Sequence, residues 1–273
     1  MWKRIIFNSA FYGAVGIWPS RDQTQTIADP NAFEDLLIAN LLGGEIQLGH
    51  RIGECDFDLV RRTYREGDGL VLKPDKPIAP IDRSYLEGGM VGYTESRIGS
   101  HSWFYVLSLP SAGYLPNFRP SDLELEGKWL VYNFDRQSAS IKDATDTINL
   151  SPNVKHEYFV LAPLLQNQMA VVGDVEKFVT MADMRIGSIE SSEGSLRVAV
   201  ISNSAKNPMI VGYSNARPAR VAVGNLELNE VSSLKRLGSA KDGWFWDYQT
   251  KLWHVKVDFG GSPSMEMKRF EIR

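Results

Sequence analysis

Between Lys73 and Pro80 the chain reads Lys73-Pro74-Asp75-Lys76-Pro77-Ile78-Ala79-Pro80, and three prolines in so short a stretch preclude regular helix. The sequence changes character across it. Helix signals dominate before this stretch, and strand signals dominate after it. Such a switch predicts an α/β segment followed by an all-β domain, with the boundary between Pro74 and Glu87. We therefore read residues 1–85 as one unit and residues 86–273 as another.

Residues Trp2 to Gly13 carry Ile5, Ile6, Phe11 and Tyr12, which fit a buried helix face or a strand. We read a helix feeding a strand at Ala14 to Trp18. The polar run Pro19-Ser20-Arg21-Asp22-Gln23-Thr24-Gln25-Thr26 follows. Asp29 is a good N-cap and Pro30 suits the first helical position, so a helix is expected from Pro30 to Leu42, ending at Gly43-Gly44. Phe33, Leu36, Leu37, Asn40 and Leu41 share one face of it. Glu34 and Asp35 fall in the early turns, where the helix dipole favours acid. Glu45 to Gly49 reads as a short strand, which completes a βαβ unit.

Side chains at the carboxyl end of such strands line the sites of α/β sheets and barrels. Asp22 is therefore the first candidate, against the plainer reading of a solvated turn residue. Asp56 caps a second helix with Phe57, Val60 and Tyr64 on its apolar stripe, and Gly67 stops it. Two parallel strands cannot close on themselves. Their edges need pairing and their apolar faces need a partner. The α/β segment is thus expected to complete something larger, either another polypeptide or a further part of the same one.

The second half is rich in strand formers. Trp103 to Leu107 is one such run. Trp129 to Phe134 turns through Asp135-Arg136-Gln137-Ser138 toward Ile141. Glu157 to Leu165 and Ala170 to Val179 follow, with a turn at Ser191 to Gly194 and strands flanking Ala216-Arg217-Pro218. A last hairpin joins Trp244-Phe245-Trp246 to Leu252-Trp253-His254-Val255. Many short strands with regular turns predict an antiparallel β-sandwich. Trp244, Trp246 and Trp253 suit its core better than an exposed sugar platform.

Composition narrows the function classes. The net charge of -3, without a run of Lys or Arg, argues against a nucleic-acid partner held through phosphates. No apolar run is long enough to span a bilayer, so no membrane partner is expected. His50, His101, His156 and His254 are isolated, without a second ligand at metal-binding spacing. No phosphate loop or nucleophile–base pair is visible, so we expect neither metal nor cofactor. The single cysteine, Cys55, has no internal disulfide partner, and we expect a reducing, cytoplasmic location. Lys3-Arg4 followed by Ile5 to Trp18 faintly imitates a signal peptide, but Asn8 and Ser9 interrupt the apolar run.

Several motifs occur together and in a set order: Phe7-Asn8-Ser9-Ala10-Phe11-Tyr12-Gly13, Pro19-Ser20-Arg21-Asp22, Gly43-Gly44-Glu45-Ile46, Asp56-Phe57-Asp58-Leu59-Val60-Arg61 and Asp68-Gly69-Leu70-Val71-Leu72. His156 to Pro163 and Gly212 to Pro218 continue the series. In these the chain resembles the C-terminal part of the raffinose synthase and seed-imbibition-protein type of α-galactosidase-like enzymes, in glycoside hydrolase family 36. The resemblance implies the last strands and helices of a (β/α)8 barrel followed by a C-terminal antiparallel β-sandwich. It also implies retaining, two-carboxylate chemistry on α-galactosides.

The family's nucleophile lies in a Lys-x-Asp strand end and its acid/base in a later Ser-Asp-Asp type segment. Neither stands at a strand end of this α/β segment. The resemblance therefore places the catalytic carboxylates outside this chain, and no catalytic residue is named in it. It implies a substrate-binding rim of Trp18, Arg21, Asp22 and Gln47, with His50 beside it. Two positions of the loop depart from the family's Pro-Asp-Trp-Asp: Ser20 replaces Asp, and Arg21 replaces an aromatic platform. Arg21 either meets a more polar or anionic glycan or pairs with Asp22. The implied partners are an α-galactoside or related glycan, and the missing barrel part or another copy of the chain. The alternative is a non-catalytic carbohydrate-binding or assembly subunit.

Overall fold

The strand-forming stretches beyond Lys76 build three main sheets, all antiparallel in a computed structural model that describes residues 2–111 and 114–273. The largest sheet has six strands, in the order Ala79–Pro80, Met90–Ile98, His101–Leu109, Glu157–Pro163, Lys128–Asn133 and Ser138–Asp143. Successive side chains alternate between its faces. Trp103, Tyr105 and Leu107 enter one core, while Phe104 and Val106 enter another, beneath Phe118, Leu123 and Ile148. Burial on both faces is why Trp103 to Leu107 is apolar throughout rather than alternating.

The first of these faces looks onto two further sheets. One pairs Gly243–Trp246, Leu252–Lys256, Met209–Tyr213 and Ala170–Asp174. The other runs Ile186–Ser192, Ser195–Ser202, Glu266–Ile272, Val221–Val223 and Leu226–Glu227. Large aromatics join the layers, because a buried Trp or Tyr fills volume while its polar tip demands a partner. Trp103 Nε1 donates to the Val171 carbonyl at 2.6 Å, and Tyr158 donates its hydroxyl to the Phe178 carbonyl at 2.7 Å. The Met181 amide donates to the Tyr105 hydroxyl at 2.9 Å. Full burial pushes the Tyr105 phenol up to about 12. Gly212 is required here: a Cβ would stand 2.1 Å from the Trp253 ring. Trp244 and Trp253 are core residues, as their sequence pattern suggested.

The α/β segment contributes three helices, α1 (Trp2–Ala14), α2 (Ala32–Leu42) and α3 (Phe57–Val60). Every residue of α2 except Phe33 is buried, and its leucines share one continuous core with both sheet layers. Gly43 ends the helix in the left-handed region (φ 74°), where a Cβ would lie 2.1 Å from the Trp18 ring. The helix begins at Ala32 rather than Pro30. The Asp29 carboxylate instead accepts the Asn31 amide at 2.8 Å and fixes the turn before it.

Two expected strands are not formed. Helix α1 runs through Ala14 and the chain then turns, so Ala14 to Trp18 pairs with nothing. Glu45 to Gly49 keeps a single parallel bridge, Thr24 with Leu48, in which the Thr24 amide donates to the Gln47 carbonyl at 2.9 Å. A parallel pair with no third strand on either side has little to extend it. Asp56 caps α3 as expected, accepting the Leu59 amide at 3.0 Å. The helix lasts one turn, however, and passes into a 3₁₀ turn at Arg61–Thr63 before Tyr64 becomes extended.

Just after that turn, Glu66 ties the segment to the β-half. Its carboxylate meets Lys177 at 2.6 Å and Arg185 at 2.9 Å, and Arg185 lies 3.1 Å from Asp174. Lys177, Arg185 and Asp174 are all but fully buried. Burial acts to raise the Glu66 carboxyl, but the hydrogen bond and charge of Lys177, with Arg185, outweigh it and leave the group below the ordinary carboxylate range. Lys177 also donates to the Arg61 carbonyl, and the Phe178 amide donates to that of Arg62. Removing one member of such a network leaves buried charges uncompensated. Glu66→Ala should therefore destabilise the protein by about 3–5 kcal/mol in urea unfolding. A loss below about 1 kcal/mol, the size typical of surface pairs, would show that the network is not what holds the two parts together.

Candidate functional site

The backbones of residues 19–24 and 44–49 lie side by side. A Cβ on Gly44 would stand 2.3 Å from the Pro19 carbonyl oxygen, and one on Gly49 would meet the Gln23 side chain. With the Thr24–Leu48 bridge, this puts Asp22 and Gln47 on neighbouring parallel segments. Asp22 is exposed and accepts the Gln23 amide at 2.8 Å. Gln47 is exposed and donates to Glu45 at 2.5 Å. Trp18 is 40% exposed, and the Lys73 ammonium lies 4.5 Å from its ring centre.

Arg21 faces the other way. It is buried and forms an ion pair with Asp35 at 2.6 Å, while donating to Thr24 Oγ1 at 3.2 Å. Its ion-pair partner is Asp35 rather than Asp22. Arg21 and Thr24 point inward, where the Asp35 carboxylate and the hydrogen bond between them hold the guanidinium, while Asp22 and Gln23 between them point outward. His50 is half-buried, and its Nδ1 lacks a hydrogen-bond partner.

Arg21 also borders a cleft of about 340 Å³ with Trp2, Asp29, Asn31 and Asp35. Here two carboxyl groups are neighbours. Burial raises the Asp35 carboxyl, whereas the Asn31 amide lowers that of Asp29. A retaining glycosidase pair needs carboxylate oxygens free to face the sugar. In this cleft Asp35 is engaged at both oxygens, by Trp2 Nε1 at 2.6 Å and by Arg21 at 2.6 Å. Asp29 holds the turn into α2. The pair anchors α1 and the Arg21 segment to α2, which is a structural task.

A larger groove, about 550 Å³, opens between the α/β segment and the β-half. Phe33 comes from α2, Arg61 and Arg62 from the 3₁₀ turn, and Phe134, Lys177 and His254 from the β-half. The Arg62 guanidinium lies 5.8–6.0 Å from the ring centres of Phe33, Phe134 and Phe178, a cation–π arrangement on three sides. Burial pushes the His254 imidazole down to about 4, so it is neutral near pH 7. In the sequence Arg62 is only one of several basic residues near a helix end. Its aromatic neighbours stand far apart in the chain, and no local pattern announces them.

Beside the groove, His156 links the two halves. Its ring stacks on Phe33 at 5.2 Å, with Nδ1 3.1 Å from Glu34 and Nε2 3.3 Å from Asp135. Glu157 turns away to Asn133 and Ser151, so the adjacent His and Glu do not cooperate.

No family model matches the chain, and no curated protein matches it. Among solved structures it is similar to a cycloalternan-forming enzyme from Listeria monocytogenes in complex with a pentasaccharide substrate, at 12% identity and a TM-score of 0.37, over 72% of this chain and 20% of that one. It is also similar to an uncharacterized protein from Listeria monocytogenes EGD-e in complex with glucose, magnesium and calcium, at 11% identity and a TM-score of 0.39, over 89% of this chain and 23% of that one. The chain spans about a fifth of the length of each. Likeness at this level gives no residue correspondence. No helix among the described residues is long and apolar enough to cross a membrane.

The His156 contacts carry a pH dependence. Burial acts to lower the imidazole, but Asp135 and Glu34 outweigh it and raise it above its ordinary value of 6.5. Its contribution to stability is therefore complete below the unfolded value and is lost as pH rises through the folded one. Urea midpoints should fall as pH is raised from 6 toward 9, and His156→Gln should flatten that fall. An unchanged slope in the variant would assign the dependence elsewhere.

Proposed function

We propose that this chain is the C-terminal part of a glycan-processing enzyme of the α-galactosidase type, acting by a retaining two-carboxylate mechanism with the catalytic carboxylates on polypeptide outside it. The observation that carries this reading is the uneven distribution of exposed apolar side chains. Among the described residues, 11 of the 18 exposed large hydrophobics fall in the first 85 residues, Phe11, Val15, Ile17, Trp18, Leu48 and Phe57 among them. Such an excess of exposed apolar side chains in one part of the chain supports a covering partner there. The Thr24–Leu48 bridge supports the same view, since an isolated parallel bridge is the kind of pairing that further strands from a covering polypeptide would extend.

On this reading Trp18, Asp22 and Gln47 form one edge of a sugar pocket completed by the covering polypeptide. An ionised Asp22 accepts hydrogen bonds from sugar hydroxyls, and the Gln47 amide both donates and accepts. The Trp18 ring offers an apolar face to a sugar once the flexible Lys73 ammonium moves aside. Arg21, held by Asp35, sets the course of this edge from within.

A second reading, a carbohydrate-binding subunit without catalysis, draws on a different surface. At the hairpin tip Trp246 and Tyr248 meet edge to face at 6.1 Å, with Tyr248 75% exposed. The Lys251 ammonium stands 4.6 Å from the Tyr248 ring centre.

Affinity electrophoresis through immobilised α-galactoside, run beside a chromogenic α-galactoside assay, tests the proposal. The purified chain should be retarded without turnover. Trp18→Ala and Asp22→Asn should each weaken retardation by about tenfold, the loss of one good contact. Turnover by the chain alone would contradict the placement of the carboxylates. Retardation that survives both substitutions but is lost in Tyr248→Ala would favour the second reading.

A further inference from the structure

We propose that the groove between α2, the turn after α3 and the β-half is a binding site for a small oxyanion, a carboxylate or a phosphate, anchored by Arg62. Four cationic side chains line this groove: Arg61, Arg62, Lys177 and Lys206. Three of them are compensated. Arg61 meets Asp58 at 2.9 Å, Lys177 meets Glu66 at 2.6 Å, and Lys206 pairs with Glu176. Among the described residues no carboxylate lies within ion-pair distance of Arg62, and no protein group accepts a hydrogen bond from its side chain.

The four carboxylates of the groove are engaged as well, Asp58, Glu66 and Glu176 by those cations and Asp135 by His156. Among the described residues Arg62 is thus the one cation of the groove lining without an ion-pair partner.

The surroundings of Arg62 sharpen the point. Three aromatic rings hold its guanidinium on the groove wall. They attract its charge but leave its in-plane N–H donors unsatisfied, and a guanidinium carries five of these. A half-buried cation held this way is preorganised for a planar, two-oxygen acceptor, the geometry in which Arg surpasses Lys. His254 adds a second unpartnered group on the wall, since its Nδ1 is buried without a hydrogen bond. The volume, about 550 Å³, lies within the range of small-molecule sites. The plain alternative is that Arg62 only clamps the two halves through its rings, with water on its donors. The two readings differ in whether an anion binds.

Isothermal titration of the full chain at low ionic strength separates them, with inorganic phosphate, galacturonate and neutral galactose as the three probes. The expected result is saturable binding of phosphate or galacturonate at concentrations below about 10 mM, and none of galactose. Tighter binding of galacturonate would assign the anion to an acidic sugar, and equal binding would assign it to the oxyanion alone. Arg62→Gln should weaken binding by about tenfold or more through loss of the charged fork. Arg62→Lys keeps the charge and the ring contacts but not the fork; it should also weaken binding, and it carries the test if Arg62→Gln does not fold. The proposal is overturned if neither anion binds, if galactose binds as tightly as galacturonate, or if folded Arg62→Lys binds the anion as the parent does. These outcomes do not involve Trp18 or Asp22, so they stand or fall apart from the α-galactoside reading.

Discussion

The Glu66 carboxylate, wedged between Lys177 and Arg185, is the contact on which the arrangement of the two halves depends. Lys177 and Arg185 belong to the segment that Tyr105, Tyr158 and Trp103 bolt to the six-stranded sheet. Glu66 belongs to the turn that follows α3. Charges this deeply buried are stable only while all of them are present.

From that contact the other features follow in sequence. With the 3₁₀ turn fixed, α2 lies against the sheets, and its leucines extend their core. With α2 fixed, Phe33 reaches His156 and Arg62, and the groove between the halves has walls. On the far side, the segments from Pro19 to Thr24 and from Gly44 to Gly49 are held through Gly43, Gly44 and Arg21 but face outward. These segments are thus sealed on their inner side, while their outer side carries Asp22, Gln23, Glu45, Gln47 and Leu48 in the open and, among the described residues, only the Thr24–Leu48 bridge as strand pairing. That asymmetry is what the proposal of a covering polypeptide draws on.

Much of the β-half was legible because strand composition and turn residues act locally. The hairpins at Asp135 to Ser138 and at Asp247 to Lys251 stand where their turn residues predict them. Helix α2 was legible through Asp29 and Gly43, although Asp29 acts two residues before the cap position, at Asn31. The strands expected at Ala14 to Trp18 and Glu45 to Gly49 do not form. Their apolar residues resemble a barrel strand, but a strand is made by its neighbours, and among the described residues these segments have little to pair with. The site was legible in part. The outward positions of Asp22 and Gln47 follow from the loop's polarity, whereas the inward turn of Arg21 depends on Asp35, a residue 14 positions away. The Arg62 box is assembled from Phe33, Phe134 and Phe178, which only tertiary structure brings together.

Native-state hydrogen exchange compares the two halves most directly. If the Glu66 network makes them one cooperative body, the amides of Leu36 to Leu42 in α2 should open with the same free energy as those of Trp103 to Leu107 in the central strand. If α2 instead exchanges through a separate opening of distinctly lower free energy, the α/β segment is an appendage, and the buried charges around Glu66 do not join it to the sheets.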